Sequence, residues 1–461
     1  MGIVALPSKP RQHNAAPGDW LEAALAPWMA QIGAAPGENL LSLALDLPDA
    51  LFDLVRNGRA DRVWIAPDEE MFSVGAVAGF ADMSVDRWRV ACRRWTRFGD
   101  GPAPIAFLTA PPAPLGGGAH LSLPELLLRR SEGRCSLVLT GYRDFRPAAA
   151  LTREWAERFR AMTAPAAKET HSPVERQEDR PDRAEWRARV RAATQAIRAK
   201  RFDKVVLARK RVVTLRAPID ADALARRMAQ GCVEGRVLKF PSANGCTLAA
   251  TPELLAVKRG RALVSHALAG TAPRFPTTAQ DDETARTLRG CAKERREHAL
   301  VVQSIAESMR EICDELSHPP EPGLVKLPRL QHLWTPVSGH MREGLDLLDA
   351  IAALHPTPAV LGWPKAPARA FLRENEERRD GLYTGLAGWI DAEGDGEAAV
   401  VLRCAEIQGR EARLWAGAGI MAESDPDAEW AETELKLTTF LDILGGAPSA
   451  EPRAREQSRH G

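Results

Sequence analysis

The sequence predicts an α+β fold. Three observations carry this: short β-branched and aliphatic runs bounded by turn residues, amphipathic stretches of helical period, and no regular strand–helix–strand alternation linking them. Residues 62–66, 105–108 and 136–139 read as strands, and residues 123–128 and 155–162 as helical patterns. Residues 164–182 mix Pro, Ser, Thr and charges with no apolar period, so they read as a surface connection between an N-terminal region (1–182) and a second region (183–446). The second region opens with Trp186, Val190, Ala193 and Ile197 at helical spacing, then changes period at Lys204 and enters a strand. Further strands are expected at 247–249, 254–258, 262–267, 398–402 and 413–416. Two long helices follow from their apolar stripes. One spans 282–316 through Leu300, Val301, Ile305, Met309, Ile312 and Leu316; the other spans 427–444 through Trp430, Leu437, Phe440, Leu441 and Leu444. Residues 447–461 are a polar tail.

Composition limits the function classes. The 461 residues carry 62 Lys plus Arg against 61 Asp plus Glu, a formal net charge of +1, which argues against a chain built to coat nucleic acid or an anionic membrane. A hydrophobic fraction of 45% is enough for a large core and excludes general disorder. No apolar run approaches the roughly 18 residues needed to span a bilayer, and the apolar run before Pro7 is too short for a signal-peptide core, so a cytoplasmic location is expected. The seven cysteines are scattered without a CxxC pair and read as small buried residues; the histidines show no zinc-ligand spacing.

Charge is nonetheless unevenly distributed. Residues 183–216 hold twelve basic residues against Glu185 and Asp203, which reads as a solvated helix face and strand, or as a nucleic-acid patch. Aromatic interleaving is nearly absent, which favours the former. Glu294 and Glu297 lie three apart on the first long helix, and Glu429 and Glu432 three apart on the second. That spacing puts each pair on one face, where four carboxylates suit a hard divalent cation such as magnesium. A solvated acidic face, or an i,i+4 ion pair such as Glu432 with Lys436, accounts equally for each pair alone. Gly417-Ala418-Gly419 follows a strand but lacks the third glycine of a dinucleotide fingerprint; its glycines still permit close backbone approach by a ligand.

Ten ordered segments become informative together: Phe202-Asp203-Lys204-Val205-Val206-Leu207-Ala208-Arg209, Thr251-Pro252-Glu253-Leu254-Leu255, His266-Ala267-Leu268-Ala269-Gly270-Thr271, Lys293-Glu294-Arg295-Arg296-Glu297-His298, Gln331-His332-Leu333, Leu354-His355-Pro356-Thr357-Pro358-Ala359-Val360, Gly381-Leu382-Tyr383-Thr384-Gly385, Leu402-Arg403, Ala416-Gly417-Ala418-Gly419-Ile420 and Glu432-Thr433-Glu434-Leu435-Lys436. In this order they resemble the chorismate-utilising (chorismate-binding) enzymes, over about residues 183–444; the first region is similar only loosely. Within the family the motifs are most similar to members that convert chorismate into isochorismate.

The resemblance implies two large packed β-sheets flanked by helices, with both sequence regions contributing to one domain. It implies magnesium as cofactor, held by Glu297 and Glu432 with Glu294 and Glu429 beside them, and chorismate as the small-molecule substrate. The ring carboxylate would meet the metal; the enolpyruvyl carboxylate would meet Tyr383, Arg403, the Gly417–Gly419 backbone and Lys436, with Gly270, Thr271, His332 and Ala359 also lining the site. The implied reaction adds water at C2 and expels the C4 hydroxyl, with Lys204 as base and Glu253 as acid. Lysine at 204 and the small Ala359 favour this reaction over the salicylate synthase and the anthranilate or aminodeoxychorismate alternatives. The product implied feeds siderophore, menaquinone or another biosynthesis, from a chain acting as a monomer, or as a dimer, with no nucleic-acid or membrane partner. Ala272, Trp334, Leu361, Trp363 and the Arg379-Asp380 order depart from the family pattern, and the bulky residues are expected to narrow the pocket.

Overall fold

The strand that begins at Lys204 organises the molecule. In the computed structural model, which describes residues 16–445 apart from 36–39, 78–84, 113–119, 143–145, 166–171, 232–234, 244 and 376–378, it runs over Lys204–Leu215. Its apolar β-branched start favours the extended state, and it pairs antiparallel with Glu411–Ile420, placing Val206 opposite Gly419 and Ala208 opposite Gly417. On its other side Gly362–Trp363 pairs at the start of the strand, with Lys204 opposite Trp363. Val174–Arg180 pairs at its end.

Among the described residues this strand belongs to a thirteen-stranded sheet, and a second sheet has nine strands. Each sheet draws on both sequence regions: Arg236–Ser242 pairs with Arg62–Ala66 in the first, and Leu386–Asp391 with Ile105–Ala110 in the second. Trp64, Phe107, Phe240, Tyr383, Trp389 and Trp415 fill the space between the sheets. Full burial of an aromatic of this size stabilises by about 1.5–3 kcal/mol, so this seam fastens the two regions together. Helices Ala292–Arg310 and Leu347–Leu354 cover the outer face of the second sheet through Val301, Ile305, Met309 and Ile351. Helices Arg183–Arg198, Ala221–Gly231, Lys365–Glu374 and Pro426–Leu444 cover the first sheet on this side of the molecule.

Several expectations are corrected. The expected helix over 282–316 is two helices, Thr278–Gly290 and Ala292–Arg310, followed by the strand Cys313–Ser317. The break falls at Gly290-Cys291, where glycine is a weak helix former and Cys291 is extended (φ −71°, ψ 115°). Residues 123–128 do not form a helix; Leu126–Ser131 is a strand between Glu69–Val74 and Arg134–Tyr142, and cross-strand pairing overrides the leucine propensity. The connection expected over 164–182 contains the strand Val174–Arg180, whose polar side chains face solvent at the sheet edge while Asp179 pairs with Arg209 and Arg211. The second long helix, Pro426–Leu444, is capped by the Asp425 side chain, which accepts from the Asp427 and Ala428 amides, and ends at Gly445 (φ +86°). The polar tail 447–461 and Cys232 lie outside the described residues. The other six cysteines are free, four of them buried. No helix among the described residues is long and apolar enough to cross a membrane.

The basic run 183–216 is largely paired: Arg183 and Arg187 meet Asp427, Arg189 meets Glu185, Arg201 meets Glu374, and Arg209 and Arg211 share Asp179 and Glu434. Arg209 is fully buried with its guanidinium 3.8 Å over the Trp430 ring.

Candidate active site

The site is built where the Lys204 strand, the glycine strand Glu411–Ile420 and the helices Ala292–Arg310 and Pro426–Leu444 converge. Lys204 is 1% exposed, and its Nζ lies 2.9 Å from Glu297 Oε1. Gly419 makes room for that contact: a Cβ there would collide with the Glu297 carboxylate and stand 2.9 Å from Lys204 Cε. Two residues earlier, a Cβ at Gly417 would come within 2.6 Å of the Tyr383 hydroxyl. The strand therefore carries glycines because both neighbours approach its backbone more closely than a side chain permits.

Lys436 closes this wall. Its ammonium donates to Gly417 O at 2.8 Å and to Glu432 Oε1 at 2.6 Å, one helical turn away. Tyr383 is buried and stacks on Trp415, with ring centroids 5.1 Å apart and planes 9° from parallel. The opposing wall comes from the second sheet. Gly270 (φ +80°) lets the strand turn, and the Thr271 amide donates to Glu294 Oε2 at 3.1 Å. His332 is buried, with Nδ1 3.1 Å from Thr271 Oγ1 and Nε2 3.2 Å from Arg403 Nη2. A guanidinium only donates, so Nε2 accepts and the proton sits on Nδ1. Burial, with Arg403 and Lys436 nearby, holds this imidazole neutral by pulling it well below its ordinary range. Arg403 itself adopts φ +48°, a left-handed conformation unusual for a non-glycine residue and frequent at functional sites.

Glu253 is 3% exposed, and burial pushes its carboxyl up to about 7 against the pull of its hydrogen bond from Thr357 Oγ1 (3.2 Å) and of Lys204, Arg403 and Lys436. A carboxylic acid held near neutrality beside cationic groups is equipped to donate a proton. Ala359, two residues beyond Thr357, is half-buried against the apolar core.

The four glutamates face one space. Burial raises Glu294, and Glu297 and Glu432 add to it; burial raises Glu429 to about 7, with Glu432 adding to it. At Glu432 burial also pushes upward, but Lys436, Lys293 and Arg403 carry the group below its ordinary range. No three acid or imidazole groups among the described residues already stand at ligating distance. Instead three of the carboxylates are bonded to lysines: Glu297 to Lys204, Glu432 to Lys436, and Glu429 to Lys293 at 3.1 Å. The donor set, four carboxylates of which Glu429 is buried and Glu294, Glu297 and Glu432 part-buried, fits a hard divalent cation.

Sequence reasoning gave no role to Thr357 or Lys293, and noted Arg379 only for its unusual order with Asp380. Lys293 was signalled by its place beside Glu294. Arg379 is buried and donates to Val206 O (2.7 Å), Val360 O (2.6 Å) and Thr384 Oγ1 (3.2 Å), tying the lysine strand to the loop that carries Thr357. Of the bulky departures from the family pattern, Leu361 packs in the outer core with Trp186 and Phe371, and Trp334 meets His266 edge-on at 5.2 Å. Asp380 pairs with Lys210, and Arg274 with Asp281.

Comparison with known proteins places this chain in a family. The sequence profile described as "Chorismate binding enzyme" matches residues 116–445. The chain is 39% identical over 266 residues to isochorismate synthase EntC of Escherichia coli, a match covering 58% of this chain and 68% of that one. It is 36% identical over 264 residues to the salicylate biosynthesis isochorismate synthase of Pseudomonas aeruginosa, covering 57% and 55%. Among solved structures, MenF, the menaquinone-specific isochorismate synthase of Escherichia coli, superposes with a TM-score of 0.79 at 27% identity over 92% of this chain and 99% of that one. Anthranilate synthase component I from Streptococcus pneumoniae shares the fold, with a TM-score of 0.67 at 17% identity over 82% of this chain and 92% of that one. The two-sheet fold and these matches together make the chain a member of the chorismate binding enzymes.

Proposed function

We propose that the chain is an isochorismate synthase, converting chorismate reversibly to isochorismate by adding water at C2 and expelling the C4 hydroxyl. The observation that carries the reading is a buried lysine, Lys204, within electrostatic reach of a buried carboxyl, Glu253, which burial raises to about 7. Lys204, in its neutral form, takes the proton from the attacking water; Glu253 gives its proton to the departing hydroxyl. A dianionic substrate needs matching donors. Arg403, Lys436, the Tyr383 hydroxyl and the backbone amides of the Gly417–Gly419 segment supply them for the enolpyruvyl carboxylate. Gly270 and Thr271 border the ring, His332 keeps the Arg403 guanidinium in place as a neutral acceptor, and Ala359 leaves space at the loop.

Magnesium, when bound, would neutralise the ring carboxylate and fix its position. Glu297 and Glu432 would hold it, with Glu294 and Glu429 adjacent, directly or through water. Incubation with chorismate and magnesium, followed by resolution of the products, tests the reading: isochorismate is expected. Salicylate with pyruvate, or a product formed only with ammonia, would assign the chain to a different branch of the family.

A further inference from the structure

Three lysines reach into the carboxylate cage from three different places. Two of them have other work in the proposed reaction: Lys204 as the base, and Lys436 at Gly417 O and the substrate carboxylate. Lys293 has no such role. Its ammonium lies 3.1 Å from Glu429 Oε1 and 3.9 Å from Glu294 Oε1. The three also differ in their access to water. The Lys293 side chain is 29% exposed, against 1% for Lys204 and 11% for Lys436. Glu429, its partner, is 3% exposed, and a buried carboxylate left without a cation is strongly destabilising.

We infer that Lys293 is a tethered ammonium ion that holds the cage closed until a divalent cation displaces it, and that this displacement sets the metal's apparent affinity. The inference rests on the metal reading given above. With all groups ionised, the four glutamates and three lysines sum to −1, so a divalent ion entering with every ammonium still in place meets a cage already almost neutralised. Expelling the most solvent-exposed of the three ammonium groups restores the negative charge that attracts the ion. Lys293 lies in the first turn of helix Ala292–Arg310, and its four-carbon stem lets the charge swing outward while the backbone stays fixed. Glu429 is thereby paired in both states, by ammonium before exchange and by the metal after it. No covalent bond changes.

The test uses the full chain without substrate and titrates magnesium by calorimetry. Lys293→Met is expected to bind magnesium about tenfold or more tightly than the unaltered protein, because the competing charge is gone; Lys293→Arg, which keeps the charge, is expected to bind no more tightly. In the presence of a chelator, Lys293→Met should also unfold at a lower temperature and regain the difference when magnesium is added. A Lys293→Met affinity equal to or weaker than that of the unaltered protein overturns the inference while leaving the metal site standing. Absence of magnesium binding in all forms overturns the metal reading and this inference with it. A second measurement needs no variant: trace acetylation of the unaltered protein, read by peptide mass spectrometry, should label Lys293 several-fold faster with magnesium than with chelator. Equal or slower labelling contradicts the displacement.

Discussion

Lys204 Nζ lies 2.9 Å from Glu297 Oε1, so the proposed base and a proposed metal ligand are partners in one buried ion pair. The pair forms beside Gly419, and the three residues come from separate elements: the start of one strand, the end of its antiparallel neighbour, and the first turns of a helix resting on the other sheet. Replacing Lys204 by Met keeps most of the volume and removes the amine. Turnover of chorismate should fall by about 10²–10⁴-fold, the usual range for a lost general base. A variant that folds and retains turnover within a factor of ten would remove Lys204 from that role.

Gly419→Ala tests the geometry rather than the chemistry. The added Cβ would strike the Glu297 carboxylate and crowd Lys204 Cε, so both side chains must shift out of their contact to admit it. Overpacking of this kind typically costs about 1–3 kcal/mol, and a displaced reacting group about 10²-fold in rate. A loss of kcat/KM of that order is expected with a circular dichroism spectrum unchanged; wild-type kinetics would show that the two groups need not approach across this strand.

Glu253 predicts a pH dependence in two quantities. Burial raises its carboxyl from 4.5 to about 7, so it acts as an acid only below that range, and kcat/KM should fall as pH rises through about 7. The folded chain also holds this proton more tightly than the unfolded chain, so folding stability should decrease as pH rises from about 4.5 to about 7 on account of this group. Glu253→Gln cannot ionise. It should abolish the acid step and yet be more stable than the parent at pH 8, by on the order of 1–3 kcal/mol in chemical denaturation. A Glu253→Gln variant that is less stable at pH 8 would contradict the burial argument.

Thr357 modulates the same group. Its hydroxyl donates to Glu253 Oε1 at 3.2 Å, which favours the ionised carboxylate. Thr357→Val should therefore raise the Glu253 pKa further and move the alkaline limb of kcat/KM to higher pH, whereas Thr357→Ser should leave it in place. A limb that shifts to lower pH in the valine variant would reverse the sign assigned to this hydrogen bond.

Much of the site was legible because its chemistry is carried by short local patterns. A strand opening on a lysine, two glutamate pairs at helical spacing and a Gly-x-Gly strand all stand in the sequence, and the helices and strands that bear them lie close to where the hydrophobic periods put them. What escaped depends on partners far along the chain. The leucines at 126–128 look helical in isolation and become a strand only between two other strands. The polar residues 174–180 have no apolar period because one side faces water and the other is neutralised by Arg209 and Arg211. The break at Gly290-Cys291 escaped because the apolar stripe that placed the helix begins only at Leu300, beyond it. Thr357 could not be paired with Glu253, 104 positions away, nor Lys293 with Glu429, 136 away, without the fold that joins them.

The central claim is the conversion itself, and product analysis tests it most directly. Purified protein supplied with chorismate and magnesium should form isochorismate, approach the same ratio of the two compounds from either direction, and stop when the metal is chelated. Failure to form isochorismate under these conditions, or release of pyruvate with salicylate in its place, would contradict the account.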